Sequence, residues 1–298
     1  MRSSTRRTFL KSTGLLAGAT ALPASAKADI QYSTYDNADA KLYDATKCIG
    51  CRACGRRCRE YNELPGDPEE MEGLTWDMPQ HLSQNNFMIL QAYKEESSSP
   101  SAEDGEKWSF IKKNCMHCNV PACVNACPVE ALIKTEEGPV EYREKYCMGC
   151  RYCQLACPYG VPQYEWLDRI PRVRKCTLCL ECVQVCPTGA LTSGKRKDLI
   201  AEAHKRIEEN PGRYVNHVYG ENEAGGASYL ILSGIPVEKF GLPKLGAAVR
   251  SSYSERIMRS LPGWMVGMGL FLGGLYHMEQ RQKRIAQQKA AQNTEDRP

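Results

Sequence analysis

Cys147-Met148-Gly149-Cys150-Arg151-Tyr152-Cys153-Gln154-Leu155-Ala156-Cys157-Pro158 spaces four thiols as C-x2-C-x2-C-x3-C and closes on proline. The same spacing occurs at Cys48, Cys51, Cys54 and Cys58, and again at Cys176, Cys179, Cys182 and Cys186. Cys115, Cys118, Cys123 and Cys127 form a fourth group whose middle gap holds four residues. Together the groups use all sixteen cysteines of the 298-residue chain. Three thiolates so closely spaced hold three corners of one [4Fe–4S] cube, and the fourth cysteine of such a run, followed by proline, ligates a different cube. Pro128, Pro158 and Pro187 follow three of the groups, whereas Arg59 stands in that place in the first. The sixteen thiols therefore predict four [4Fe–4S] clusters.

Two other uses of cysteine compete with this reading. A disulfide framework suits an exported chain, but residues this close in a tight loop rarely have bridging geometry. Nor does a disulfide scaffold need one spacing repeated with proline behind it. Structural zinc also uses C-x2-C, but as two separated knuckles. Here a third cysteine follows within the same run and a fourth closes it.

Around the thiols, the chain repeats itself. Cys182-Val-Gln-Val-Cys186-Pro-Thr-Gly-Ala-Leu191 echoes Cys123-Val-Asn-Ala-Cys127-Pro-Val-Glu-Ala-Leu132, which marks duplicated two-cluster units. After Leu132, the run Ile133-Lys134, a Glu-Glu-Gly turn and Val140-Glu141-Tyr142 predict a hairpin. Residues 59–114 interrupt the repeat with an acidic turn at Pro65 to Glu72, a strand from Phe87 to Lys94, a Ser-rich loop at 97–101 and a strand at 107–112, read as an inserted hairpin over a cluster. Leu199, Ile200, Ala203 and Ile207 share one face of a helix ended by Asn210-Pro211-Gly212, and Ala227 to Ser233 reads as a strand. No nucleophile–base pair, phosphate loop or dinucleotide fingerprint accompanies these elements, so the expectation is a protein that is not itself an enzyme.

The two ends carry addresses. Thr5-Arg6-Arg7-Thr8-Phe9-Leu10-Lys11, an apolar stretch from Leu15 to Leu22 and Ala24-Ser25-Ala26 resemble a twin-arginine export signal, with cleavage after Ala26 or Ala28. That route carries folded proteins, so clusters are inserted before export, and the expected compartment is the periplasm. The formal charge of +4 comes from Arg2, Arg6, Arg7 and Lys11 in that leader; without it the net charge is zero, which removes electrostatic support for nucleic-acid binding. From Leu261 to Met278 no charge occurs, and Arg259 precedes while Glu279, Arg281, Lys283 and Arg284 follow. As a helix this stretch spans about 27 Å. It is expected as a transmembrane anchor with a cytoplasmic C-terminus, against a buried or interfacial helix that its five glycines favour. Gly263 with Gly267, and Gly269 with Gly273, suit close helix approach. His277 at the span's end is read as an interfacial residue rather than a ligand.

Leu42-Tyr43-Asp44 before Cys48, Cys115-Met116-His117-Cys118, Cys147-Met148-Gly149-Cys150-Arg151-Tyr152-Cys153, Cys157-Pro158-Tyr159, His217-Val218-Tyr219-Gly220 and Leu242-Pro243-Lys244-Leu245 together resemble the four-cluster ferredoxin-type subunits of bacterial membrane oxidoreductases. The likeness is strongest to the hydrogenase-2 branch, beside formate dehydrogenase, molybdopterin reductase and multihaem-cytochrome branches. In the fourth group relatives carry a longer insertion where this chain has only Leu180-Glu181, which puts in doubt any partner surface that the insertion builds.

The spacing leaves open which groups share cubes, since group three lies 20 positions after group two and 19 before group four. The resemblance implies that groups one and four interlock, as do two and three. The implied sets are Cys48, Cys51, Cys54 with Cys186; Cys176, Cys179, Cys182 with Cys58; Cys115, Cys118, Cys123 with Cys157; and Cys147, Cys150, Cys153 with Cys127. It also implies a relay between a periplasmic catalytic subunit, a NiFe hydrogenase first, and an integral membrane subunit that reacts with quinone. Lys175 and Arg151, beside ligands, are read as solvated charges, with tuning of a cluster as the alternative.

The expected fold is α+β: a leader over 1–28, duplicated bacterial-ferredoxin-like units over 29–195 with the 59–114 insertion, a helix and strand extension over 196–256, a transmembrane helix over 257–280 and a basic tail over 281–298.

Overall fold

The computed structural model describes residues 35–65, 81–94, 108–166, 169, 171–247 and 251–295. The expected export leader, nearly all of the expected acidic turn and the expected Ser-rich loop lie outside the described residues. Two compact units are present, a body over 31–252 and a C-terminal helix.

The body begins with β1 (Asp39–Asp44), followed by α1 (Ala53–Tyr61), β2 (Met88–Lys94), β3 (Trp108–Asn114) and α2 (Ala122–Asn125). Next come β4 (Leu132–Lys134), β5 (Val140–Tyr142), α3 (Tyr152–Ala156), β6 (Gln163–Tyr164), β7 (Val173–Arg174) and α4 (Glu181–Gln184). It ends with β8 (Leu191–Lys195), α5 (Arg196–Glu209), β9 (Val218–Tyr219) and β10 (Tyr229–Leu232). This is an α+β ferredoxin-like body of short helices and small sheets.

Its one larger sheet has the order β8-β1-β10-β9. β1 runs parallel to β10 and antiparallel to β8, with Lys41 opposite Tyr229 on one side and Ser193 on the other. Side chains alternate across this sheet. Ala40, Leu42, Leu230 and Leu232 pack with Leu199 and Ala203 of α5 on one face. Tyr43, Tyr229 and Ile231 turn to the other face, against Cys182, Ala190 and Ile111. Burying a leucine such as Leu42 or Leu230 stabilises by roughly 1.5–3 kcal/mol, so the α5 face anchors the sheet while the opposite face is left for the thiol groups. The sequence expectation of a helix carrying Leu199 and Ala203 and ending at Asn210 matches α5, whose C-cap is Asn210.

The hairpin β2–β3 pairs Met88 with Asn114 through to Lys94 with Trp108. It carries Met88 and Leu90 onto Cys58, with Cys48, Cys54 and Phe110 at the margin. β4 pairs with β5 and β6 with β7, each a short antiparallel hairpin. α1 packs against α4, and α2 against α3.

The C-terminal helix, α6 (Ser251–Glu295), is continuous over 45 residues. The transmembrane expectation over 257–280 is corrected here: no helix among the described residues is long and apolar enough to cross a membrane. Length is not what fails, since 45 residues rise roughly 68 Å. Five glycines, Pro262, Tyr276 and His277 dilute the apolar residues of 261–278, and glycine adds rise without adding apolar surface. The cytoplasmic placing of the tail rested on that span and has no support without it.

Candidate metal centres

Each cysteine group turns at its second cysteine through left-handed backbone, which Arg52 (φ 59°) and Arg151 (φ 62°) continue just after that cysteine in groups one and three. Gly50 (φ 73°), His117 (φ 47°), Gly149 (φ 73°) and Leu178 (φ 65°) all stand just before the second cysteine. Two of the four are not glycine, and a β-carbon in that conformation costs about 1 kcal/mol or more. The conformation recurs in all four groups, at that cost where the residue is His117 or Leu178. The third and fourth cysteines then lie on or beside the short helices α1, α2, α3 and α4.

Packing brings thiols of different groups together. Cys127, at the end of α2, lines one cavity with Cys147, Cys150 and Cys153. Cys157, in turn, is an electrostatic neighbour of Cys115, Cys118 and Cys123. Through the α1–α4 contact Cys58 stands beside Cys176, Cys179 and Cys182, and Cys186 beside Cys48. Arg57 fastens that contact by donating from Nε to Glu181 Oε2 at 2.6 Å. The shortened Leu180-Glu181 gap thus holds a cross-link between groups one and four. Finally Cys115 and Cys176 pack in one cluster with Val161, which joins the two halves in the middle.

All sixteen cysteines are unbridged, and a disulfide framework is not what this chain forms. Most are buried or half-buried, while Cys51 and Cys150 are exposed. Burial pushes the Cys54 and Cys58 thiols up to about 12 and Cys157 to about 11. Cys182 goes the other way: burial opposes its ionisation, but Lys112 and Lys41 bring it below the ordinary thiol value. Thiols this reluctant to ionise alone become ligands when a metal displaces the proton.

The donor set fits [4Fe–4S] clusters. At Cys127, Cys147, Cys150 and Cys153 four soft thiols surround a cavity instead of meeting at a point, and among the described residues no three His, Cys, Asp or Glu side chains converge closely enough for a single ion. A tetrahedral zinc, with Zn–S near 2.3 Å, needs that convergence. Hydrogen bonds reach the sulfurs as well. Tyr164 Oη and Cys153 Sγ are 2.7 Å apart, and Ala131 N donates to Cys127 Sγ at 3.2 Å.

Comparison with known proteins agrees. Two models, each described as a 4Fe-4S dicluster domain, match residues 47–131 and 106–196. The chain is 35% identical over 268 residues to the hydrogenase-2 operon protein HybA of Escherichia coli O157:H7, covering 78% of this chain and 81% of that protein. The chain belongs to the family of 4Fe-4S dicluster iron–sulfur subunits. Other members similar to it are the iron–sulfur subunit of the nitrate-inducible formate dehydrogenase of Escherichia coli K12, 33% identical over 72% of this chain and 75% of that one, and a protein of Nitratidesulfovibrio vulgaris, 36% identical over 96% of this chain and 79% of that one. As in this family of electron-transfer subunits, four [4Fe–4S] clusters are bound.

Of the two charges singled out from sequence, neither is simply solvated. Lys175 is 5% exposed, and its Nζ donates to the carbonyl oxygens of Val140 and Cys176. The Arg151 guanidinium lies 4.1 Å over the Trp166 ring. Sequence reasoning missed Lys41, Lys112, Tyr43 and Tyr164. One signal pointed to Lys41: it occupies the same strand parity as Tyr43, on the face opposite Ala40 and Leu42.

Proposed function

We propose that this chain is the non-catalytic subunit of an exported oxidoreductase complex, carrying single electrons between a catalytic subunit, a NiFe hydrogenase first, and an integral membrane subunit that reacts with quinone. Each bound cluster supplies reversible one-electron reduction. The observation that carries the reading is the adjacency of thiols from Cys186 and Cys48, through Cys58 and Cys176, to Cys115 and Cys123, and on through Cys153 to Cys127 and Cys150. The proposed ligand sets are those four neighbourhoods: Cys48, Cys51, Cys54 and Cys186; Cys58, Cys176, Cys179 and Cys182; Cys115, Cys118, Cys123 and Cys157; Cys127, Cys147, Cys150 and Cys153. The protein orients these thiolates, shields all but Cys51 and Cys150 at least partly from water and sets the field around them. The likeness to HybA favours hydrogenase over formate dehydrogenase as the catalytic partner, since it spans more of this chain.

An affinity handle on the intact chain, used to purify the native complex anaerobically, tests this. About sixteen irons per chain, a co-purifying nickel–iron subunit and cluster reduction by hydrogen are the expected results. A molybdenum subunit with reduction by formate instead would overturn the hydrogenase assignment. Export belongs to the same proposal. Replacing Arg6 and Arg7 together by lysine is expected to leave iron-loaded protein with its leader uncleaved in the cytoplasm, measured by cell fractionation. Unchanged periplasmic protein would defeat the twin-arginine reading.

A further inference from the structure

Four lysines point inward, and they are not evenly shared among the thiol sets. Lys41, 2% exposed on β1, donates from Nζ to the Cys179 carbonyl and lies 3.2 Å from Cys182 Sγ. Lys112, 2% exposed on β3, donates to Asn114 Oδ1 at 2.9 Å and sits 5.1 Å over the Tyr229 ring, with Cys182, Cys176 and Cys54 as its thiol neighbours. Lys175 donates to the Cys176 carbonyl at 3.0 Å and faces Cys115. Lys134 donates to the His117 carbonyl at 2.9 Å and faces Cys118 and Cys115. Among the described residues none of the four forms an ion pair with a carboxylate, although Arg57, Arg174, Lys195 and Arg206 all do.

Burying a cation without an anion costs several kcal/mol, so a negative charge has to stand within reach. The thiolate sets are that charge. Both cationic pairs face inner sets: Lys41 and Lys112 the set of Cys58, Cys176, Cys179 and Cys182, and Lys134 and Lys175 the set of Cys115, Cys118, Cys123 and Cys157. The outer sets meet phenols instead, Tyr164 beside Cys153 and Tyr43 beside Cys48. Lys112 touches the field of one outer set only through Cys54. A thiolate-ligated cube is an anion that gains one further negative charge on reduction. A fixed cation in a buried site therefore favours the reduced form, more strongly than any neutral hydrogen bond does.

We propose that Lys41 and Lys112 raise the reduction potential of the cluster held by Cys58, Cys176, Cys179 and Cys182 above those of both outer clusters, making an interior site of the protein the first to hold an electron. This rests on the ligand sets proposed above. Lys134 and Lys175 act in the same sense, more weakly, on the neighbouring inner set. Reduction adds one electron, taken from the donor subunit or in the test from dithionite; no bond breaks and no proton has to move. The consequence is a protein whose first electron rests mostly on an interior cluster.

The test uses the full chain purified anaerobically with its clusters, titrated with dithionite and redox mediators and followed by electron paramagnetic resonance. Lys112→Met and Lys41→Met are each expected to lower the reduced-to-oxidised ratio of one cluster about tenfold at fixed potential, which for one electron is about 59 mV. The two outer clusters should move by less than half of that, and Lys112→Arg should restore most of the loss. Cys58→Ser identifies the affected cluster, because its signal must be the one that disappears. If Cys58→Ser and Cys176→Ser remove signals of different clusters, the ligand set is wrong whatever the lysines do. If both reach the same cluster and neither lysine variant moves its potential while iron content is unchanged, the lysines are packing residues and the proposal fails. Should Lys112→Met lose iron, Lys41→Met decides alone.

Discussion

The double variant Cys127→Ala with Cys150→Ala is expected to lose no more iron than either single variant, about four atoms per chain or fewer. The two cysteines belong to different sequence groups, yet both line the cavity that Cys147 and Cys153 complete. Removing one thiolate frees or degrades the cluster there, and removing the second acts on a site already damaged. Residues that serve one site are strongly non-additive. The pair Cys127→Ala with Cys118→Ala makes the contrast: these lie in one sequence group but face different thiol sets, so their losses should add to about eight irons. Iron and acid-labile sulfide on anaerobically purified protein read both results. If Cys127 and Cys118 prove non-additive while Cys127 and Cys150 add, each group holds its own cluster and the interlocked arrangement is wrong.

Replacing Asp44 by alanine is expected to destabilise the body by about 3–5 kcal/mol. The Asp44 side chain is fully buried and accepts four hydrogen bonds: from Thr46 Oγ1 at 2.7 Å, Tyr214 Oη at 3.0 Å, Thr46 N at 3.1 Å and Arg206 Nη1 at 3.3 Å. It caps the short 3-10 turn over Ala45–Lys47 that leads into Cys48. Without the carboxylate Arg206, itself only 15% exposed, keeps half of its partners, and the turn loses its cap, worth about 1 kcal/mol of that total. The expected observation is earlier thermal bleaching of the visible cluster absorbance, together with weaker retention at the set containing Cys48. Asp44→Asn keeps the cap and loses the ion pair, so it should fall between the two. Bleaching at the same temperature as the parent protein would mean that the buried carboxylate holds nothing together.

Some of this was legible in the chain itself. Cysteine spacing needs no tertiary knowledge, because a cluster demands several thiolates within a few residues and the loop must turn on itself to supply them. Gly50 and Gly149 advertise that turn. His117 and Leu178 make the same left-handed turn without glycine, so local propensity alone does not mark them. The strands expected from Phe87 to Lys94 and from Ala227 to Ser233 are legible as apolar runs, and α5 as an apolar stripe. The uncharged run near the C-terminus misleads, because five glycines supply part of its length without apolar surface.

What the sequence determined by itself was the inventory: four thiol groups, hence four clusters, on an α+β scaffold. Proximity was decided only by the tertiary structure. Cys186 lies beside Cys48, and Cys58 beside Cys176, because α1 packs on α4 and Arg57 reaches Glu181. Lys41 and Lys112 meet across the sheet and hairpin at one thiol set, though 71 positions separate them in the chain. The physical reason is range. Ligand spacing and turns are local and cost only the entropy of a few residues. The field at each thiol set is the sum of charges brought in by long-range packing, which no local pattern encodes.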